Sequence, residues 1–364
     1  MSGFINTTLH HTPQLHDPMS DWHEIVSNSI VSGNDMARAL PVHAAEINTV
    51  AAEYPLRVNA YYLSLIQKKG DGVWEQAIPD IREIEDTTGL DDPLCEEGQS
   101  PVPHLTHRYP DRVLFLVSSQ CAMYCRHCMR KRKVGTDFIV TEDTIREGID
   151  YIRKTKSIRD VLISGGDPLM LEDTVLESIL KRLSEIDHLA FLRIHTRMPC
   201  TLPQRITPDL CRMLKKYHPL YMNTHFNHPN EITPEARRAC ALLADSGIPL
   251  GCQTVLLKGV NDTPSVMKTL MRKLLEIRVR PYYLHHPDLV RGTGHFRTSI
   301  RTGIKIIKAL RGHMSGMAIP HYVIDLPGGG GKIPLLPEYI KGERDGRLVV
   351  ENFTGQTYEY PLDE

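Results

Sequence analysis

From residue 112 onward, short apolar runs rich in β-branched residues alternate with segments of helical period. Strand patterns occupy 112–118 (RVLFLVS), 160–164 (DVLIS), 190–196 (AFLRIHT), 220–226 (LYMNTHF), 249–257 (PLGCQTVLL) and 280–286 (RPYYLHH). Helical patterns lie at 141–155, 172–186, 207–216, 232–246 and 263–277, with another at 297–311. Parallel strands need crossovers of this kind. After the first interval the strands recur roughly every thirty residues. The pattern predicts an α/β chain of six βα units, either an incomplete barrel or an open doubly wound sheet. Thr141 and Thr233 are predicted N-caps, with acids in the first turn and Pro234 at the first helical position. Asp245-Ser-Gly247 is a predicted helix end.

The flanks read differently. Residues 34–56 carry mixed helical periodicity broken at Pro41, and 81–110 is acidic and proline-rich loop material. Residues 346–360 (GRLVVENFTGQTYEY) read as a β-hairpin turning at Gly355. The chain therefore divides into a helical extension (1–110), a βα body (111–312), and a C-terminal glycine-rich loop with a β-hairpin (313–364).

Composition changes this picture little. Apolar residues make up 41% of 364 and charged residues 24%, which excludes global disorder. Lys plus Arg is 43 against 44 for Asp plus Glu, so no basic excess points to nucleic acid. No run of 18 apolar residues suggests a membrane span. The first 21 residues lack a basic start and an apolar core, so no secretory signal is read there and the cytoplasm is the expected location.

Cysteine changes it more. Three of the eight cysteines fall within eight residues, Cys121-Ala-Met-Tyr-Cys125-Arg-His-Cys128, directly after the first predicted strand. Loops at the C-terminal ends of parallel strands carry the chemistry of barrels and open α/β sheets. Three thiolates at this spacing can hold three irons of a [4Fe–4S] cluster, leaving the fourth open to a small molecule. Zinc, with His127 or a distant residue as fourth ligand, is the alternative. The second strand ends in Ser164-Gly165-Gly166-Asp167.

A CxxxCxxC loop after the first strand of a βα repeat resembles the radical S-adenosylmethionine superfamily. That likeness implies an incomplete (β/α)6 barrel, a [4Fe–4S] cluster on Cys121, Cys125 and Cys128, and S-adenosylmethionine near Ser164, Gly165, Gly166 and Asp167. Four further segments resemble lysine 2,3-aminomutases: 100–114 (SPVPHLTHRYPDRVL), 125–132 (CRHCMRKR), 223–233 (NTHFNHPNEIT) and 325–337 (DLPGGGGKIPLLP). The likeness runs from roughly residue 55 to 354.

The glycine run before Lys332 permits positive φ and close backbone approach to a ligand. A nucleotide-binding P-loop would need Gly at 326 and Ser or Thr at 333, where Leu326 and Ile333 stand. A lysine on such a loop can instead carry pyridoxal 5′-phosphate as a Schiff base, and the resemblance assigns that catalytic role to Lys332. It further implies Arg108, Tyr109 and Arg112 near this cofactor, His225 and Gln253 near S-adenosylmethionine, and Arg130 on the substrate α-carboxylate. Asp288 and Asp325 match the pair of acids that hold a distal ammonium, and paired carboxylates favour a cationic side chain. His285, His286 and Pro287 depart from the family pattern.

The implied reaction is conversion of L-lysine to β-lysine by an adenosyl radical and a 1,2-amino shift. Arginine 2,3-aminomutase, a β-lysine supplier dedicated to a translation factor, a pyridoxal-free radical enzyme and a non-catalytic zinc protein are the alternatives. A flavodoxin or ferredoxin is the implied electron donor, with neither nucleic acid nor membrane as partner. Family members carry a C-terminal zinc site that links subunits. Here no cysteine follows Cys252 and Thr263 stands at the partner position, so a homo-oligomer without structural zinc is expected.

Overall fold

The structure, a computed structural model, describes residues 21–136 and 138–362; the stretch read above for a targeting signal, residues 1–20, lies outside it. Nine strands form one sheet in chain order: β1 (Leu105–Tyr109), β2 (Arg112–Leu116), β3 (Asp160–Ser164), β4 (Phe191–Thr196), β5 (Leu220–Thr224), β6 (Leu250–Val255), β7 (Arg280–His285), β8 (His321–Leu326) and β9 (Gly331–Pro334). Strands β2 to β8 are parallel, while β1 and β9 run antiparallel at the two edges. A doubly wound sheet would reverse its strand order midway. This one never does, and its edges approach each other: the Lys332 N–H donates to the Tyr109 hydroxyl at 3.0 Å, and Gln99 Nε2 donates to the Gly329 carbonyl at 3.2 Å. The sheet is an almost closed barrel of six βα units and a seventh parallel strand.

Six short helices precede the sheet: α1 (Trp22–Ser27), α2 (Gly33–Ala39), α3 (Ala44–Glu53), α4 (Ala60–Ser64), α5 (Trp74–Ala77) and α6 (Arg82–Glu85). The crossovers carry α7 (Glu142–Lys154), α8 (Asp173–Ser184), α9 (Met198–Thr201), α10 (Pro208–Leu214), α11 (Pro234–Asp245), α12 (Pro264–Glu276) and α13 (Ile300–Leu310). Thr141 caps α7 in a reciprocal box with Thr144, Thr233 caps α11, and Gly247 at φ +80 releases the chain after it. Among the described residues no helix is long and apolar enough to cross a membrane.

Each crossover helix lays an apolar stripe on the sheet. Ile145, Ile149 and Ile152 of α7, and Leu176, Ile179, Leu180 and Leu183 of α8, are buried with Val113, Phe115, Val161, Ile163, Leu192 and Ile194. A Cβ on Gly148 would lie 2.4 Å from the Phe115 ring, so a glycine is needed for α7 to pack this closely. The opposite faces of the strands turn inward and are largely polar: Asp160, Ser164, Arg193, His195, Asn223, Gln253 and His285 line a cavity inside the barrel.

Four strands escaped the pattern. LTHRY (β1) is mostly polar, and HYVIDL (β8) lacks a following helix to mark it. GKIP (β9) includes part of the glycine loop. The C-terminal hairpin of β11 (Arg347–Glu351) and β12 (Thr357–Pro361), turning at Gly355 (φ +84), gains a third strand, β10 (Ile340–Arg344). Asp345 (φ 49) and Gly346 (φ +70) join β10 to β11, both at the positive φ that a two-residue hairpin turn of type I′ demands.

Candidate active site

The residues assigned to cofactors and substrate in the sequence line one cavity of about 1060 Å³: Cys121, Cys125, Cys128, Arg130, Ser164, Gly165, Gly166, Asp167, His225, Gln253, Asp288, Asp325, Lys332, Arg108, Tyr109 and Arg112. Strand ends and the loops that follow them put these residues there.

The cysteine loop leaves β2 and is fastened to the N-terminal extension. Arg126, 2% exposed, clasps Glu83 of α6 through Nε (2.9 and 3.1 Å) and Nη2 (2.6 Å). Lys131 Nζ meets the same carboxylate at 2.5 Å and the Gly292 carbonyl at 3.0 Å. Arg130, Arg132 and Lys133 gather on Glu96. The RKRK run is therefore a set of ion pairs, and Glu96 is held at about 2 because these cations outweigh its burial.

The three cysteines are free and partly buried. Burial, then the charge of Asp167 and of the neighbouring cysteines, raises the Cys121 thiol well above its ordinary value; burial and Cys125 raise Cys128. The Arg130 N–H donates to Cys128 Sγ at 3.4 Å, and Arg197 Nη1 to Cys125 Sγ at 2.8 Å. Among the described residues no trio of His, Cys, Asp or Glu converges on a single ion-sized point. Three thiols of one short loop line one cavity, and a cubane takes one thiolate on each of three irons, so the donor set fits one.

The glycine pair after β3 is required by packing. Gly165 sits at φ +144, and a Cβ there would lie 2.2 Å from the Ser118 carbonyl; on Gly166 it would lie 2.5 Å from the Gln120 carbonyl. The Gly166 and Asp167 N–H groups donate to those same carbonyls at 2.6 and 2.7 Å. This welds the β3 loop to the cysteine loop. The Asp167 carboxylate accepts from Thr196 Oγ1 (2.7 and 2.9 Å), Leu169 N–H (3.0 Å) and Arg197 N–H (2.7 Å). Burial still lifts it to about 6.

On the opposite wall Lys332 Nζ lies 2.8 Å from Asp325 Oδ1, and His285 Nδ1 lies 3.6 Å from Asp325 Oδ2. Burial raises Asp325, but His285 and Lys332 override it and set the group at about 2. Asp288, recessed in the cavity wall, is pushed up to about 7 by loss of water and by Asp325. Gly331 (φ +86) and Gly329 (φ +83) pass against Tyr109 and Gln99, where added Cβ atoms would fall at 3.3 and 2.3 Å. Arg108 is committed to Gln99 Oε1 (2.7 Å) and the Leu94 carbonyl (2.6 Å); Arg112 stacks 4.0 Å over the Tyr109 ring. Burial drives His225 down to about 3, so it is neutral. Arg130 gives Nε and Nη2 to Glu96 (2.7 to 3.2 Å), leaving Nη1 for a ligand.

Sequence reasoning missed Arg197, Glu96, His285 as a neighbour of Asp325, and the pair of His195 and Asn223 (3.2 Å). Arg197 did carry a signal, a charged residue immediately beyond the C-terminal end of β4.

A three-cysteine loop at the mouth of a partial parallel barrel defines the class of radical S-adenosylmethionine enzymes, and the model of the radical SAM superfamily matches residues 115–270. The lysine-2,3-aminomutase family model matches residues 307–364. The chain is 50% identical to the L-lysine 2,3-aminomutase of Clostridium subterminale, over 94% of this chain and 85% of that one. It is 48% identical to that of Fusobacterium nucleatum (98% and 86%) and 44% to the glutamate 2,3-aminomutase of Clostridioides difficile (94% and 83%). The chain belongs to the lysine 2,3-aminomutase family. Membership implies a [4Fe–4S] cluster and S-adenosylmethionine, and pyridoxal 5′-phosphate is characteristic of the family.

Proposed function

We propose that this chain converts L-lysine to β-lysine by moving the α-amino group to C3. One observation carries the reading: the cysteine trio, the glycine-borne Lys332 and the carboxylates Asp288 and Asp325 share a single cavity. When bound, the cluster and S-adenosylmethionine supply a 5′-deoxyadenosyl radical that takes hydrogen from C3, and pyridoxal 5′-phosphate gives the α-nitrogen a π-system through which to cross.

In this reading Cys121, Cys125 and Cys128 hold three irons and leave the fourth open. Ser164, Gly165, Gly166, His225 and Gln253 form the wall around S-adenosylmethionine, with Asp167 fixing the loop. Lys332 carries pyridoxal 5′-phosphate through Nζ. Arg108, Tyr109 and Arg112 face its phosphate, a role that suits guanidinium forks. Arg130 offers Nη1 to the substrate α-carboxylate. Asp325 now neutralises Lys332 at 2.8 Å. Commitment of Lys332 to the cofactor frees that carboxylate for a distal ammonium, with Asp288 beside it. Two carboxylates repel the side chain of glutamate, which separates this pocket from one for an acidic substrate. A one-electron donor of the flavodoxin or ferredoxin class serves as reductant.

The test is an anaerobic assay of reconstituted protein with lysine, arginine, ornithine and glutamate. Lysine is expected to yield β-lysine, and turnover of glutamate alone would overturn the pocket assignment. Borohydride reduction is expected to fix the label on Lys332. Lys332→Ala should lose amino migration entirely while keeping the iron content of the parent.

A further inference from the structure

Arg197, its side chain 10% exposed, lies just beyond β4 and reaches the cysteine loop from outside it. Nη1 donates to Cys125 Sγ at 2.8 Å, and Nη2 donates to Gln76 Oε1 at 2.5 Å and Glu231 Oε1 at 2.8 Å. Its backbone N–H is held by Asp167. Gln76 Oε1 also accepts from Asn227 Nδ2 at 3.0 Å, and that amide lies 3.2 Å from His127 Nε2, inside the same loop.

A packing role does not account for this arrangement. Glu231, fully buried, already accepts from Tyr62 Oη (2.6 Å), Gln76 Nε2 (2.8 Å), Asn227 N–H (2.6 Å) and His228 N–H (2.9 Å). Its hydrogen bonds are filled without a guanidinium, and Arg197 adds the counter-charge. Arg197 Nε is buried with no acceptor among the described residues, and Arg197 lines the cavity that the three cysteines share. What the arginine adds is a cation and an N–H aimed at sulfur.

We propose that Arg197 is a positioning residue that sets the reduction potential of the cluster, through its hydrogen bond to the Cys125 thiolate and a charge partly offset by Glu231. The proposal rests on the assignment of the three cysteines to the cluster. One electron from the donor adds one negative charge to the cluster, and a buried cation stabilises that reduced state more than the oxidised one. Charge and hydrogen bonds to sulfur are the levers a protein has over such potentials, and burial strengthens both. Glu231 works against Arg197, so neutralising either residue alone moves the potential, and in opposite directions.

The experiment is a redox titration, followed by electron paramagnetic resonance, of reconstituted full-length protein without substrate. Arg197→Gln is expected to move the midpoint to more negative values and Glu231→Gln to more positive values, with Arg197→Lys between parent and Arg197→Gln. With dithionite, Arg197→Gln should form 5′-deoxyadenosine about tenfold more slowly, recovering when titanium(III) citrate replaces dithionite. Damage to the fold would move both neutralised variants the same way. An unmoved midpoint in Arg197→Gln with four irons retained, or shifts of one sign in both, overturns the proposal. If Arg197→Gln assembles no cluster, the sign of the Glu231→Gln shift decides. Parent protein that assembles no four-iron cluster would instead overturn the cysteine assignment and the proposed function with it.

Discussion

Asp288 and Asp325 are neighbours set in opposite directions. The neighbouring His285, itself lowered by burial, and the cation of Lys332 keep Asp325 ionised at about 2, while Asp288 meets mainly desolvation and the charge of Asp325 and titrates at about 7. In the proposed reading, where Asp288 meets the distal ammonium, a cationic substrate must displace its proton when the pH lies below that value. The KM for lysine is therefore expected to rise as pH falls below about 7 and to level off above it, measured with saturating cofactors. Asp288→Asn should remove this dependence and lower kcat/KM on the order of 100-fold. A carboxyl raised in the folded state favours unfolding once the pH exceeds its ordinary value, and the full cost is felt above the folded value. The same variant should therefore be more stable than the parent at pH 8 by about 1–4 kcal/mol in denaturant titration of the cofactor-free protein. At this scale the cysteines and Lys332, which line one cavity, stood out in the sequence because their spacing or glycine neighbours are unusual. Arg197 and Glu96 were not, since only the folded chain decides which distant carboxylate or sulfur a guanidinium meets.

Among the elements, AFLRIHT and LYMNTHF were read as short apolar runs, whereas FLRIHT in fact alternates between buried and half-buried positions. Period-two polarity ordinarily signals a face in water. Here the polar face looks into the barrel, with Arg193, His195, Asn223 and His225 lining the cavity. The same letters serve either case, and only closure of the sheet distinguishes them. The crossover helices were legible because their caps and apolar stripes are local. β1 and β9 were not, being edge strands defined by pairing. Two loops depend on single contacts. Gly165→Ala forces a Cβ to 2.2 Å from the Ser118 carbonyl at φ +144. It is expected to cost about 1–3 kcal/mol and to lower cluster occupancy, read by iron analysis. Glu83→Gln leaves Arg126 and Lys131 buried without a counter-charge. About 3–5 kcal/mol of destabilisation is expected from thermal or denaturant unfolding.

Across the whole molecule, the site is assembled from three stretches that sequence alone could only place in order. The N-terminal extension anchors the cysteine loop through Glu83, the barrel supplies the walls, and the glycine loop brings Lys332 to the gap between the sheet edges. Tyr109 spans that gap. Tyr109→Phe removes the acceptor for the Lys332 N–H. It is expected to weaken pyridoxal 5′-phosphate binding about tenfold, seen by absorbance titration, with unchanged iron and sulfide content.

The two ends of that seam are 223 residues apart along the chain. A polypeptide emerging from the ribosome exposes its three clustered cysteines long before Lys332, which lines the same cavity, exists. The two come together only once residue 332 has been made, so in the proposed reading loading with the vitamin B6 coenzyme at this seam follows synthesis of the whole barrel.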